Sequence, residues 1–111
     1  MNQSDELQFD EKGLLPAIIQ DAFSQQVLML GWMSRESYDL TRSTGLVHFW
    51  SRSRQRLWKK GETSGNFMQV VEIIADCDRD ALLVRVVRKG PACHTGMITC
   101  FHNPVKKGGG K

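Results

Sequence analysis

Long apolar runs are missing from this chain. No stretch approaches the roughly 18–20 apolar residues that a bilayer-spanning helix needs, so none is expected. The opening MNQSDELQFDEKG is polar and acidic and lacks the apolar centre of a signal peptide. The expectation is a soluble, cytoplasmic protein. Cysteine is scarce as well: Cys77, Cys93 and Cys100 are the only three. An odd count without an export signal argues against a disulfide framework, leaving buried thiols, a reactive thiol or metal ligands. No two cysteines are spaced C-x-x-C, which excludes the paired knuckles of a zinc ribbon. Excess charge is missing from the body too. The formal +3 is accounted for by Lys106, Lys107 and Lys111 in the tail VKKGGGK, which weakens any case for a basic nucleic-acid-binding face.

What is present fits one modest domain. There are 111 residues, 41 % of them apolar, with no internal repeat and no linker within 13–103. We expect a domain over 13–104 between flexible segments at 1–12 and 105–111. LLPAIIQDAFSQQVLMLGWM holds two apolar runs around a polar turn at Asp21–Gln26 and predicts a β-hairpin. SRESYDLTRSTG predicts a short helix, with Ser34 as N-cap, Glu36 in the first turn and Gly45 to end it. LVHFWSRSRQRLW alternates as a strand that would put Arg52, Arg54 and Arg56 on one face. KGETSGN is a loop by composition. FMQVVEIIA and ALLVRVVRK predict strands, and GPACHTGMITCFHN begins as a turn and ends as a short strand. The fold class expected is a β-rich α+β protein of small barrel-like sheets with one or two short helices.

Between those two strands lies IIADCDRDALL, with Asp76, Cys77, Asp78 and Asp80 within five positions. In extended backbone the side chains alternate, so the three carboxylates would share one side and Cys77 the other. Hard carboxylates suit Mg²⁺ or Ca²⁺, whereas a soft thiolate suits Zn²⁺. An EF-hand is excluded, because the required Gly and bidentate Glu positions hold Ala81 and Val87. Taken alone, D-x-D-x-D is also an ordinary solvated turn, and a lone Cys77 is also an inert buried thiol. Three thiols with no fourth match a catalytic zinc, which keeps one position open for water.

SRSRQRLWKKGETSGN carries Arg52, Arg54, Arg56, Lys59 and Lys60 before its first acid, Glu62. Guanidinium groups match phosphate with paired hydrogen bonds. Thr63 and Ser64 add donors in a Gly-containing loop, and Trp50 and Trp58 offer faces for a base. A phosphorylated nucleotide would fit; so would an edge strand guarded by positive charge. The loop is not a Walker A sequence, so no nucleotide triphosphatase is implied. His94, between Cys93 and Thr95-Gly96, is a better candidate base than His48 or His102.

The ordered set GWM, HFWSRSR, LWKKGETSGN, DCDRDALL and GPACHTG…CF, from about Gly13 to His102, resembles the phosphoribosyl-AMP cyclohydrolase family of histidine biosynthesis. Without a fused pyrophosphohydrolase domain, the chain resembles the monofunctional form. The resemblance implies hydrolytic opening of the adenine ring between N1 and C6 of N1-(5-phosphoribosyl)-AMP, the third step of that pathway, giving the ProFAR imidazole carboxamide nucleotide. It also implies zinc at Cys77, Cys93 and Cys100, and magnesium at Asp76, Asp78 and Asp80. His94 matches the histidine after the second cysteine, a general base or proton shuttle. Within the matching motifs, chemistry assigns Arg52, Ser53, Arg54, Lys60, Glu62, Thr63 and Ser64 to the substrate phosphates and purine. GWMSRESY departs from the usual Asn and Ala-Leu, without expected cost, because Ser34 caps a helix as well as Asn. The resemblance further implies an intertwined homodimer, in which Cys77 of one chain meets Cys93 and Cys100 of the other. A zinc-stabilised RNA-binding module and a metal-storage or purely structural protein remain alternatives at this level.

Overall fold

The structure, a computed structural model, describes residues 6–108. It is β-rich with a single helix among those residues. The elements are β1 (Leu14–Asp21), β2 (Val27–Ser34), α1 (Arg35–Thr44), β3 (His48–Ser51), β4 (Arg56–Lys59), β5 (Met68–Ala75) and β6 (Leu82–Arg88). Four strands form one sheet in the order β2-β1-β6-β5, and β3-β4 forms a separate two-stranded sheet. The two sheets do not close into a barrel. β1 pairs antiparallel with β2 and parallel with β6, and β5 pairs antiparallel with β6.

Alternation explains the core. Leu15, Ala17 and Ile19 of β1 turn inward with Val84 and Val86 of β6, and all are at most 1 % exposed. Phe49 of β3 is fully buried among them. Its ring lies where a Cβ on Gly31 of β2 would sit, 2.3 Å from the nearest ring carbon. Glycine at position 31 is therefore what lets the β3–β4 hairpin dock flat on the larger sheet.

The helix forms where the capping chemistry directs it. Ser34 Oγ accepts from Ser37 N–H at 3.1 Å, and Ser34 N–H donates back to Ser37 Oγ at 2.8 Å. Serine thus closes a capping box in place of the usual Glu. Gly45 ends α1 in the left-handed region, at φ 76°.

Two expected strands are corrected. Arg52–Gln55 is a turn joining β3 to β4, so the three arginines do not share a strand face. Ser51 explains this: its carbonyl accepts from Gln55 N–H at 2.8 Å and its hydroxyl from Arg54 N–H at 3.2 Å. Gln55 also takes a left-handed φ of 53°. The segment after Cys93 forms no strand either. It is a loop closed by Ala92 N–H to Ile98 O and Cys93 N–H to Met97 O, at 2.9 and 3.1 Å. The Thr99 hydroxyl donates to the β2 carbonyl of Val27 at 2.7 Å, a place a ladder partner would otherwise take.

Of the segment expected to be flexible at the N-terminus, residues 1–5 lie outside the described residues. The remainder is tied down, with Leu7 and Phe9 packed on the core and Gln8 N–H donating to Arg79 O at 2.7 Å. At the other end, residues 109–111 lie outside the described residues.

Asp21 anchors the β1–β2 turn. Its carboxylate accepts from Phe23 N–H at 2.8 Å, Ser24 N–H at 3.0 Å and Arg88 Nε at 3.1 Å. The Ser24 amide first, then Phe23 and Arg88, hold its pKa below the ordinary carboxylate value. The ionised form is thus favoured by folding. Its contribution is present above the unfolded carboxylate value of 3.8 and is lost as pH falls through the lower folded value. Asp21→Ala is expected to cost about 1.5–3 kcal/mol at neutral pH, measured by urea unfolding, and the difference from wild type should shrink towards pH 2.

Candidate active site

Three loops meet on one side of the β3–β4 hairpin. Between them is a cavity of about 470 Å³, within the size range of small-molecule sites. Arg54, Arg56, Lys59 and Lys60 line it from the hairpin, Thr63 and Ser64 from the following loop, and Cys93 and His94 from the loop after β6. Trp58 supplies an aromatic wall and tilts against Phe49 at 5.1 Å between ring centres.

Backbone contact holds the loops together. Gly61, at φ 92°, lies so close to Asn66 and Phe67 that a Cβ would approach their backbone to 2.6 Å. Gly90, at φ 155°, sits equally close to the Asn66 side chain. Both positions therefore need glycine. Lys60 Nζ donates to Ala92 O at 2.6 Å, fastening the hairpin to the cysteine loop. Asn66 adds a second tie between the loops, its Nδ2 donating to Pro91 O at 3.5 Å.

Most of the residues expected to bind substrate are gathered here: Arg54, Lys60, Glu62, Thr63 and Ser64 all line the cavity. Glu62 is already engaged. Its carboxylate accepts from Lys59 N–H at 3.0 Å and Arg56 Nη2 at 2.9 Å, and these contacts, the amide foremost, lower its pKa. Arg52 and Ser53 face a neighbouring hollow of about 500 Å³ that includes Trp32 and Trp50. The Arg52 guanidinium lies 4.4 Å from the Trp32 ring centre, within cation–π range.

Cys93 and Cys100 lie near enough for the charge on Cys93 to be felt at Cys100. The Thr95 hydroxyl donates to Cys93 Sγ at 3.1 Å. Bonds from Thr95, side chain and then amide, followed by His102, bring the Cys93 thiol down to about 6. Burial first, and then the charge on Cys93, push the Cys100 thiol up.

The acidic segment is a turn between β5 and β6 rather than extended chain. Asp76 O accepts from Arg79 N–H at 3.0 Å, its Oδ1 accepts from Asp80 N–H at 3.1 Å, and Arg79 has φ 62°. The turn still draws the carboxylates together. Desolvation, then the charge of Asp76 and its hydrogen bond, then the charge of Asp78, raise the pKa of Asp80. Cys77 is exposed on this turn, with Sγ 3.3 Å from Asp78 Oδ1. It does not line the cavity. Among the described residues of one chain, no group of three or more His, Cys, Asp or Glu side chains is placed to hold a metal ion.

His102, judged from the sequence to be structural rather than catalytic, stands with its Nε2 3.6 Å from Cys93 Sγ. The available signal was its place two residues after Cys100. Arg56 and Lys59, passed over in favour of their neighbours, also line the cavity.

Comparison with known proteins decides the family. The phosphoribosyl-AMP cyclohydrolase family model matches residues 29–102. The chain belongs to the phosphoribosyl-AMP cyclohydrolase family, a family of hydrolases. It is 61 % identical to the phosphoribosyl-AMP cyclohydrolase of Archaeoglobus fulgidus, over 91 % of this chain and 94 % of that protein. It is 54 % identical to the cyclohydrolase of Sphingopyxis alaskensis, over 92 % of this chain and 81 % of the relative. It is also 59 % identical to the histidine biosynthesis bifunctional protein HisIE of Bacillus subtilis, but there it spans only 48 % of the relative's length. No helix among the described residues is long and apolar enough to cross a membrane.

Proposed function

We propose that this cyclohydrolase-family protein opens the adenine ring of N1-(5-phosphoribosyl)-AMP at the N1–C6 bond, giving the ProFAR imidazole carboxamide nucleotide in the cytoplasm. The observation that carries the reading is the cavity itself: a cationic hairpin and its donor loop on one wall, the Cys93–His94 loop on the other. Arg54 and Lys59 hold phosphate, the Thr63 and Ser64 hydroxyls add hydrogen bonds to it, and the Trp58 ring packs on the flat purine. Glu62 orients Arg56 rather than the anion. His94, lining the same cavity as these groups, moves the proton released as water adds to C6 and delivers it to the departing nitrogen.

The donor chemistry fits two cations. A thiolate at Cys93 beside Cys100 suits zinc, with Cys77 as the third sulfur, and crowded carboxylates at Asp76, Asp78 and Asp80 suit magnesium. Zinc at the thiols would supply Lewis-acid activation of the attacking water, and magnesium would offset phosphate charge.

Cys77 stands apart from the other thiols in one chain, so the zinc reading entails a homodimer with shared sites. One face of the larger sheet supports such a partner. Leu30, Ile18, Leu83 and Ile74 follow each other across all four strands by pairing register, and three of them are 36–43 % exposed. A continuous apolar row of this kind marks an interaction surface.

Turnover tests the activity. Zinc-loaded protein with phosphoribosyl-AMP and Mg²⁺ should change the ultraviolet absorbance as the purine opens, and an unchanged spectrum over the full course would sink the proposal. Arg54→Ala is expected to raise KM at least about tenfold, since a charged hydrogen bond contributes roughly 1.5–3 kcal/mol. Arg52→Ala, with its guanidinium against Trp32, should raise it less. A wild-type KM in both would make the arginines parts of the hairpin only.

A further inference from the structure

We propose that His102 is the fourth zinc donor of the thiol site. The inference rests on the zinc reading above and adds a residue to it. His102 Nε2 lies 3.6 Å from Cys93 Sγ. Two donors on one tetrahedral zinc, with Zn–S about 2.3 Å and Zn–N about 2.0–2.1 Å, stand about 3.6 Å apart. The separation therefore already suits a common ion.

The backbone explains why the imidazole is there. Cys100 N–H donates to Leu28 O of β2 at 2.7 Å, and Phe101 N–H donates to Thr99 Oγ1 at 3.0 Å. The Thr99 hydroxyl is itself held by Val27 O at 2.7 Å. These bonds pin residues 99–101 to the sheet and present Cys100 and His102 to Cys93 together. Within one chain Cys93, Cys100 and His102 form no metal-holding group. On the shared-site reading, Cys77 from a second chain completes three sulfurs, and an ion bound there draws Cys100 and His102 in. The Thr95 hydroxyl, 3.1 Å from Cys93 Sγ, supports the thiolate from outside the coordination shell.

A Cys₃His set fills the four positions of tetrahedral zinc, whereas hydrolysis needs a place for water. His102 accordingly sets the resting coordination, and catalysis requires either its release or expansion to five donors.

X-ray absorption at the zinc edge of the full-length, zinc-loaded protein tests this. The wild type should show three sulfurs and one nitrogen with the outer-shell scattering of an imidazole. That scattering should vanish in His102→Phe, persist in His94→Phe, and be replaced by a fourth sulfur in His102→Cys. Competition with a chelator should show zinc held at least about tenfold less tightly in His102→Phe, the minimum expected from losing a supporting group. Three sulfurs with one oxygen in the wild type, imidazole scattering that survives in His102→Phe, or its loss in His94→Phe would each overturn the role of His102 and leave the three-cysteine zinc intact. Protein that binds no zinc would instead overturn both readings.

Discussion

Co-refolding two inactive variants, Cys77→Ser and Cys93→Ser, is expected to restore activity. On the proposed zinc reading, each variant alone lacks one thiol in every site and should turn over no substrate. Cys77 sits on the β5–β6 turn, whereas Cys93 and Cys100 sit together on the loop after β6. If each zinc bridges two chains, a mixed dimer has one site that lacks both thiols and one that is intact. Random pairing of a symmetric dimer then returns about a quarter of the wild-type sites. The measurement is specific activity of the mixture, with mixed dimers verified by differently tagged chains. A mixture that stays inactive although mixed dimers form would show that each zinc lies within a single chain.

Replacing the carboxylates of the β5–β6 turn should separate the two cations. If these carboxylates hold magnesium as proposed, Asp76→Asn, Asp78→Asn and Asp80→Asn are each expected to raise the Mg²⁺ concentration for half-maximal activity at least about tenfold, since each would remove a charged ligand. Zinc content should stay at the wild-type stoichiometry, because the thiols are untouched. Asp76 has a second duty: its Oδ1 accepts from Asp80 N–H and helps shape the turn. Its variant should therefore also lower thermal stability, whereas Asp78→Asn alters the carboxylate beside Cys77 Sγ and so needs the zinc measurement most. An unchanged Mg²⁺ requirement in all three would return the segment to a plain turn.

Local chemistry made several elements legible in the sequence alone. The β1–β2 hairpin was visible because two apolar runs flank a polar turn, and α1 because Ser34 and Gly45 satisfy its ends within a few residues of chain. β5 and β6 were visible as apolar runs on either side of the acidic turn. The candidate site residues were visible as motifs, since phosphate, thiophilic and hard-cation chemistry each select their own residue types. Tertiary structure decided the rest. Whether Arg52, Arg54 and Arg56 share a face depended on Ser51 closing a turn, a competition between a hydroxyl and the strand ladder that period-two counting does not register. The docking of the hairpin depended on Phe49 finding Gly31, 18 positions away in the chain. His102 reached Cys93 because Thr99 and Cys100 hydrogen-bond to β2, more than 70 residues earlier. Short-range hydrogen bonds and alternation are written in consecutive residues. Which distant loops share a cavity is set by long-range packing, and no stretch of consecutive residues carries that information.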